Sequence, residues 1–274
     1  MLVSCKDMLA EAYAHGKAIP SPDFVDSNSV RAFTRVAEQL NAPIILSFAE
    51  VHMDHMSVEE AALMGKFYAQ RASVPVALHL DHGVHMDVIE TALKCGFTSV
   101  MMDASAQSLE DNIALTKEVC QMAHALGATV EAEIGHVGSS DTDGPHGVSA
   151  QVYTEVEPAQ ALVSATGVDM LAVAVGTAHG KYKGTPHINF QRLEELNAAL
   201  AVPLVLHGGS GTGDENLSRC AKSGVAKVNL YTDFIVAALE RVYQDHPDHW
   251  LKVLTCGDDA MAQVLEHYYR VLGW

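Results

Sequence analysis

Basic side chains are scarce in this chain: 17 Lys and Arg stand against 34 Asp and Glu, a formal net charge of −17. With so few cations and no cluster of them, the electrostatic footprint of a nucleic-acid-binding surface is missing. The same deficit sets a condition on ligands. An anion is opposed by the overall field, so its attraction must come from local dipoles, a metal or a few placed cations. Long apolar runs are absent too, and no segment reaches the length needed to span a bilayer. The opening MLVSCKDMLAEAYAHG lacks the basic start and apolar core of a secretory signal. No CxxC occurs among the five cysteines, Cys5, Cys95, Cys120, Cys220 and Cys256; an odd, scattered set reads as reduced thiols of a cytoplasmic protein.

What is present is material for a large interior: 49% of the 274 residues are hydrophobic and only 19% charged, with no low-complexity tract. That length suits an α/β barrel folding as one unit, and a single domain over residues 1–274 is the expectation. Short β-rich runs recur: APIILSF, VPVALHL, FTSVMMD, ATVEAEI, DMLAVAV, VPLVLH and VAKVNL, with KAIPSPDF as a weaker first member. They are nearly continuous rather than alternating, as strands buried on both faces are. Amphipathic stretches lie between them, at residues 29–40, 57–72 and 108–127, several opening on Ser or Asp with an acidic residue soon after. Eight strands alternating with helices predict a (β/α)8 TIM barrel. The alternative, an open doubly wound sheet, normally shows a glycine fingerprint after its first strand, and AIPSPDF has none. Residues 135–152, rich in Gly, Ser and Asp, read as a loop, and the last helix is expected to begin near Asp258.

In a barrel the carboxyl ends of all strands converge on one face, so residues distant in sequence become neighbours. The third strand delivers Asp81 and His82, the fourth Asp103, the fifth Glu131 and Glu133, the sixth His179, the seventh His207 and the eighth Asn229. Three imidazoles around an open fourth position make a catalytic zinc site, which nominates His82, His179 and His207. The other histidines, among them His52, His55, His79, His85 and His187, are assigned structural or surface roles by default. Glycine-rich turns follow strands six to eight, GTAHGKYKG, HGGSG and NLYTD, where barrels often hold phosphate on backbone N–H groups and a helix N-terminus. Gly180, Gly208, Gly209, Ser210, Asn229 and Thr232 supply candidate donors and Lys183 a candidate cation. Such turns alone mark only tight loops; beside a metal cluster they gain weight.

Taken in order, ALHLDHG, SVMMDAS, TVEAEIGHVG, LAVAVGTAHGKYKG, VPLVLHGGSG and GVAKVNLYTD resemble the class II, zinc-dependent fructose/tagatose-bisphosphate aldolases. The resemblance implies a cytoplasmic, homodimeric or homotetrameric lyase that cleaves or forms ketose phosphates through dihydroxyacetone phosphate. It implies His82, His179 and His207 as the Zn2+ ligands and Asp81 as general acid/base on the aldehyde-derived hydroxyl. It also implies Asp103 and Glu133 at an auxiliary metal position, and Gly180, Gly208, Ser210, Asn229 and Thr232 as the phosphate cradle. A monovalent cation (Na+ or K+) is allowed beside that cradle. Asp141 takes roughly the place of a loop glutamate that shuttles the dihydroxyacetone phosphate proton. No Schiff-base lysine is needed, although Lys183 would be its candidate.

Departures from the family pattern fall at one end. SPDF at residues 21–24 stands where the family shows AFN, so the usual substrate-contacting Asn is missing. After the second strand, a small Ser/Gly/Thr-rich turn is replaced by SFAEVHMDHM; Ser47 could serve there, but Glu50, Asp54 and bulky neighbours make a poor anion site. Position 231 is a tyrosine in place of a small polar residue. The expectation is a ketose 1-phosphate or keto-sugar acid phosphate whose aldehyde half carries no phosphate. Three other readings stay open: fructose- or tagatose-1,6-bisphosphate aldolase proper, giving glyceraldehyde 3-phosphate; a zinc hydrolase, which would normally show HxH after the first strand; and a non-catalytic aldolase-like subunit.

Overall fold

The computed structural model describes residues 1–135, 153–182 and 184–274. The apolar runs become β1 (Ile19–Pro22), β2 (Ile44–Ala49), β3 (Val76–Asp81), β4 (Ser99–Met102), β5 (Thr129–Ile134), β6 (Met170–Val173), β7 (Leu204–Leu206) and β8 (Val225–Leu230). They pair in parallel in the order β1-β8-β7-β6-β5-β4-β3-β2. Just past β1 the two ends of this sheet meet: Asp23 bridges Ser47, Phe24 N donates to Ser47 O at 2.9 Å, and the Ser21 and Ser47 hydroxyls lie 2.6 Å apart. The result is the expected (β/α)8 barrel.

Between the strands run α2 (Ser27–Leu40), α3 (Val58–Arg71), α4 (Met86–Cys95), α5 (Leu109–Ala125), α6 (Val156–Thr166), α7 (Phe190–Ala199) and α8 (Asp214–Lys222). Their starts are written in side chains. Asp26 accepts from Ser29 N at the head of α2 while Ser29 reciprocates, and Ser57 and Glu60 do the same for α3; each box satisfies amides that would otherwise lack partners. Two helices, α9 (Thr232–Asp245) and α10 (Trp250–Val271), complete the ring. The last helix thus starts eight residues before the expected Asp258. Gly257, which reads as a helix breaker, lies inside it with Ala238 Cβ 3.8 Å from where its own Cβ would be, a close approach between α10 and α9.

The opening segment, unassigned from sequence, forms α1 (Cys5–Ala14). Its buried face, Cys5, Met8, Leu9 and Ala12, packs on the inward residues Ile19, Ile45, Ala77, Met170, Ala172, Val205 and Ala226, flooring the barrel. Outward-facing Leu46, Phe48, Leu78, Leu80, Val130, Leu171 and Val228 pack under the helices. Each large side chain so buried contributes roughly 1.5–3 kcal/mol. Above the floor the interior turns polar: Ser21, Ser47, His79, Ser99, Glu131 and Lys227 are all fully buried. Such groups are tolerated only when bonded to one another, and their network leads upward to the mouth.

Candidate active site

The mouth is built by residues that end strands or begin the loops after them. β3 finishes on Asp81, and the next residue, His82, adopts φ +47°, a left-handed backbone that costs a non-glycine residue about 1–2 kcal/mol. Its Nδ1 lies 2.8 Å from Asp103 Oδ2 and its Nε2 2.9 Å from His207 Nδ1. His207 follows β7, is fully buried, and has its Nε2 2.7 Å from Glu131 Oε1. His179 comes from the loop after β6; its ring centroid is 5.0 Å from that of His82 and 5.9 Å from that of His207. One ligating nitrogen from each of the three lies within 4.8 Å of the others. Two further groupings, His82 with Asp103 and Glu133, and His79 with Asp81 and Glu131, close to the same limit.

The bonds fix where protons sit. Glu131 Oε2 accepts from Lys227 Nζ at 2.6 Å, and Lys227 stands 3.3 Å from His79 Nε2, whose Nδ1 faces Ser99 Oγ at 2.8 Å. Lysine only donates, so His79 Nε2 accepts and its Nδ1 carries the hydrogen. Burial, with Lys227 beside it, holds His79 well below the usual imidazole range. Burial and the neighbouring His82 hold His207 neutral as well. Its Nε2–H points at the Glu131 carboxylate and its Nδ1 offers a lone pair to the mouth. For His82, burial opposes the charge, but Asp81, the bond to Asp103 and Glu133 outweigh it and hold the ring up at about 10. His82 therefore donates from both nitrogens, to Asp103 and to His207.

Asp81 is 2% exposed, accepts from Asn229 Nδ2 at 2.6 Å, and has Oδ2 3.8 Å from His82 Nε2. Burial alone would raise its pKa; His82, His207 and Lys227 together lower it to about 2. Asp103 is likewise held below the usual carboxylate range, against its burial, by the His82 bond and charge. Asp23 is the reverse case: burial and the charge of Asp81 push its carboxyl well above that range. Two carboxyls in one mouth are thus shifted in opposite directions.

A cavity of about 420 Å3 joins these groups to Gly180, Gly208, Gly209, Ser210 and Thr232. Gly208 has φ +66°, and a Cβ there would stand 2.4 Å from Ala178 O; a Cβ at Gly209 would meet Val228 at 2.4 Å and Asn229 O at 2.8 Å. Glycine is required at both positions. Ser210 Oγ accepts from Tyr231 N and Asp233 N, tying the β7 loop to the start of α9, and Tyr182 OH accepts from Ala178 N while donating to Gly208 O. The positive end of α9 opens at Thr232. Asn229, grouped from sequence with the phosphate donors, has its amide on Asp81 instead. Asp141 and Lys183 lie outside the described residues.

The cavity also holds what sequence reasoning missed. Asp23, Ala49, Val51, His52, Leu230 and Tyr231 line the same cavity, with the His52 and Tyr231 rings 4.8 Å apart. His52, assigned a structural or surface role by default, belongs to the mouth. Ser47 does not: it is fully buried against Ser21. Glu50 turns to Val84 N at 2.7 Å and to His85. No Lys or Arg lines the cavity among the described residues. A lysine inside the apolar run VAKVNL was the visible signal for Lys227; nothing in the spacing distinguished His52.

A family model described as fructose-bisphosphate aldolase class-II matches residues 3–274. The crystal structure of the YdjI aldolase from Escherichia coli K12 is 33% identical, with TM-score 0.90 over 100% of this chain and 98% of that one. A fructose-bisphosphate aldolase from Campylobacter jejuni is 25% identical, with TM-score 0.82 over 99% and 95% of the two chains.

Proposed function

Because the chain belongs to the class-II fructose-bisphosphate aldolase family, we propose that it is a zinc-dependent lyase which reversibly cleaves a phosphorylated ketose into dihydroxyacetone phosphate and an unphosphorylated aldehyde. The observation that carries this reading is the convergence of His82, His179 and His207 nitrogens within 4.8 Å, with ionised Asp81 alongside. The donor set fits zinc. His207 presents Nδ1 because Glu131 holds its Nε2–H, and His82 presents Nε2 because Asp103 holds its Nδ1–H; carboxylates in this outer position fix ring orientation and raise ligand basicity. To ligate through Nε2, His82 would have to give up the proton it directs at His207 Nδ1, so metal uptake would release a proton. When bound, Zn2+ supplies a Lewis acid that stabilises negative charge on the ketose oxygens as the carbon–carbon bond breaks. Asp103 and Glu133 with His82 offer an auxiliary position for the ion.

The chain's own residues do the rest. Asp81 takes the proton from the hydroxyl on the aldehyde-side carbon; that oxygen forms the new carbonyl, the carbon–carbon bond breaks, and its electron pair stays with the ketose fragment. Asn229 holds the other Asp81 oxygen so that one lone pair faces the substrate. Asp141 returns a proton to the ketose-fragment carbon. Gly180, Gly208, Gly209, Ser210 and Thr232, with Lys183, receive the phosphate on amides and the positive end of α9, with Na+ or K+ beside them. A second phosphate has no such reception, since the flank formed by Asp23, His52 and Tyr231 offers a carboxyl and no cation.

A panel of fructose 1,6-bisphosphate, tagatose 1,6-bisphosphate and ketose 1-phosphates, coupled to detection of dihydroxyacetone phosphate, tests this. A ketose 1-phosphate is expected to give the highest kcat/KM; a bisphosphate ahead by more than about a hundredfold, roughly 2.7 kcal/mol of discrimination, would point to a bisphosphate aldolase proper. Chelation is expected to stop exchange of a dihydroxyacetone phosphate proton with solvent, and zinc to restore it. A hydrolase or a scaffold subunit shows no such exchange.

A further inference from the structure

We propose that Asp23, His52 and Tyr231 form a subsite that binds the hydroxyl next to the aldehyde carbon, making uncharged hydroxyaldehydes the favoured partner of dihydroxyacetone phosphate. The inference rests on the aldolase reading and deepens it. Asp23 is 7% exposed, lines the mouth, and its Oδ1 has no hydrogen-bond partner. On the same flank His52 Nδ1 is also buried without a partner. Buried polar atoms are normally bonded, so two orphans in residues that line one cavity point to a ligand with polar groups there.

Position favours the substrate's aldehyde half. Asp23 N donates to Leu230 O at 3.1 Å, which seats Asp23 beside β8, whose Asn229 holds Asp81. Asp81 handles the oxygen that becomes the carbonyl, and Asp23 lines the same cavity close enough for the Asp81 charge to act on it. A carboxyl and an imidazole each accept and, when protonated, donate, so the pair can meet both needs of a hydroxyl. Tyr231 packs against the imidazole, with the rings tilted by 40° and their centroids 4.8 Å apart. Ala49, Val51 and Leu230 give the carbon chain apolar wall. A phosphate or carboxylate would need a cation that this wall lacks.

The test runs in the synthetic direction at fixed dihydroxyacetone phosphate, comparing kcat/KM for glyceraldehyde and propionaldehyde, which have equal carbon counts. The protein is expected to prefer glyceraldehyde by about tenfold or more, because a site built to bond a hydroxyl rejects the analogue without it. Asp23→Ala should lower that ratio at least about tenfold, while Asp23→Asn, which still donates and accepts, holds it within about threefold. His52→Phe keeps a ring against Tyr231 but loses Nδ1 and should also lower the ratio; it decides the matter alone if Asp23→Ala does not fold. No preference in the unaltered protein, a ratio unmoved in both Asp23→Ala and His52→Phe, or an Asn loss equal to the Ala loss overturns the subsite. Failure of the aldolase reading is a separate result: no exchange of the dihydroxyacetone phosphate proton by the unaltered protein.

Discussion

Asp81→Ala is expected to slow carbon–carbon cleavage by about 10^3-fold or more while the protein binds zinc in the same stoichiometry. The size is that of a lost general base positioned at the reacting proton. Asp81 suits the task because it rests ionised in a nearly dry site: burial raises its pKa, but His82, His207 and Lys227 prevail. The His82 and His207 nitrogens are oriented without it, by Asp103 and Glu131. Metal analysis of the purified variant, with a coupled cleavage assay, reads both halves. Loss of zinc in step with activity would make Asp81 a ligand rather than a base. Activity within about tenfold of the parent would remove it from the chemistry altogether.

The second large effect is on stability. Lys227→Met is expected to cost about 3–5 kcal/mol, because truncating one member of a buried ion pair strands the other charge. Lys227 and Glu131 are both fully buried and bonded at 2.6 Å, with His207 on the other Glu131 oxygen. For a chain of this size the melting temperature should fall by roughly 10 °C, read by calorimetry on metal-free protein. Adding Glu131→Gln to Lys227→Met removes the stranded charge and should recover part of the loss, a coupling that distinguishes electrostatics from simple cavity formation. A single-variant loss below about 1 kcal/mol would mean that water or a proton neutralises Glu131 without difficulty.

How much could be read from the chain follows from what each signal encodes. Strands buried on both faces leave continuous apolar runs, so all eight were visible, and His82, His179 and His207 stood out because each follows a run that a barrel must bring to one end. Asp23 was seen only as the absence of an expected asparagine, because whether a carboxyl is charged or protonated depends on Asp81, 58 positions away in the sequence and adjacent in space. His52 gave no sign, since its place is set by a short 3₁₀ turn, Glu50–Asp54, that has no hydrophobic period. Helix α1 was missed for a related reason. Its partners are the inward residues of several strands, a contact that no local pattern announces.

The meeting of β1 and β2 has a consequence for how this protein can change. β2 and β3 share a ladder of six successive pairs, whereas here one bridge, one amide bond and one pair of serines join the rim. Asp23, at that join, lines the cavity, while the imidazoles come from the chain just after β3, β6 and β7. Replacements at this join leave the grouping of His82, His179 and His207 untouched, so under the proposed reaction the range of aldehydes is the trait such changes would alter and the bond-breaking step the one they would spare.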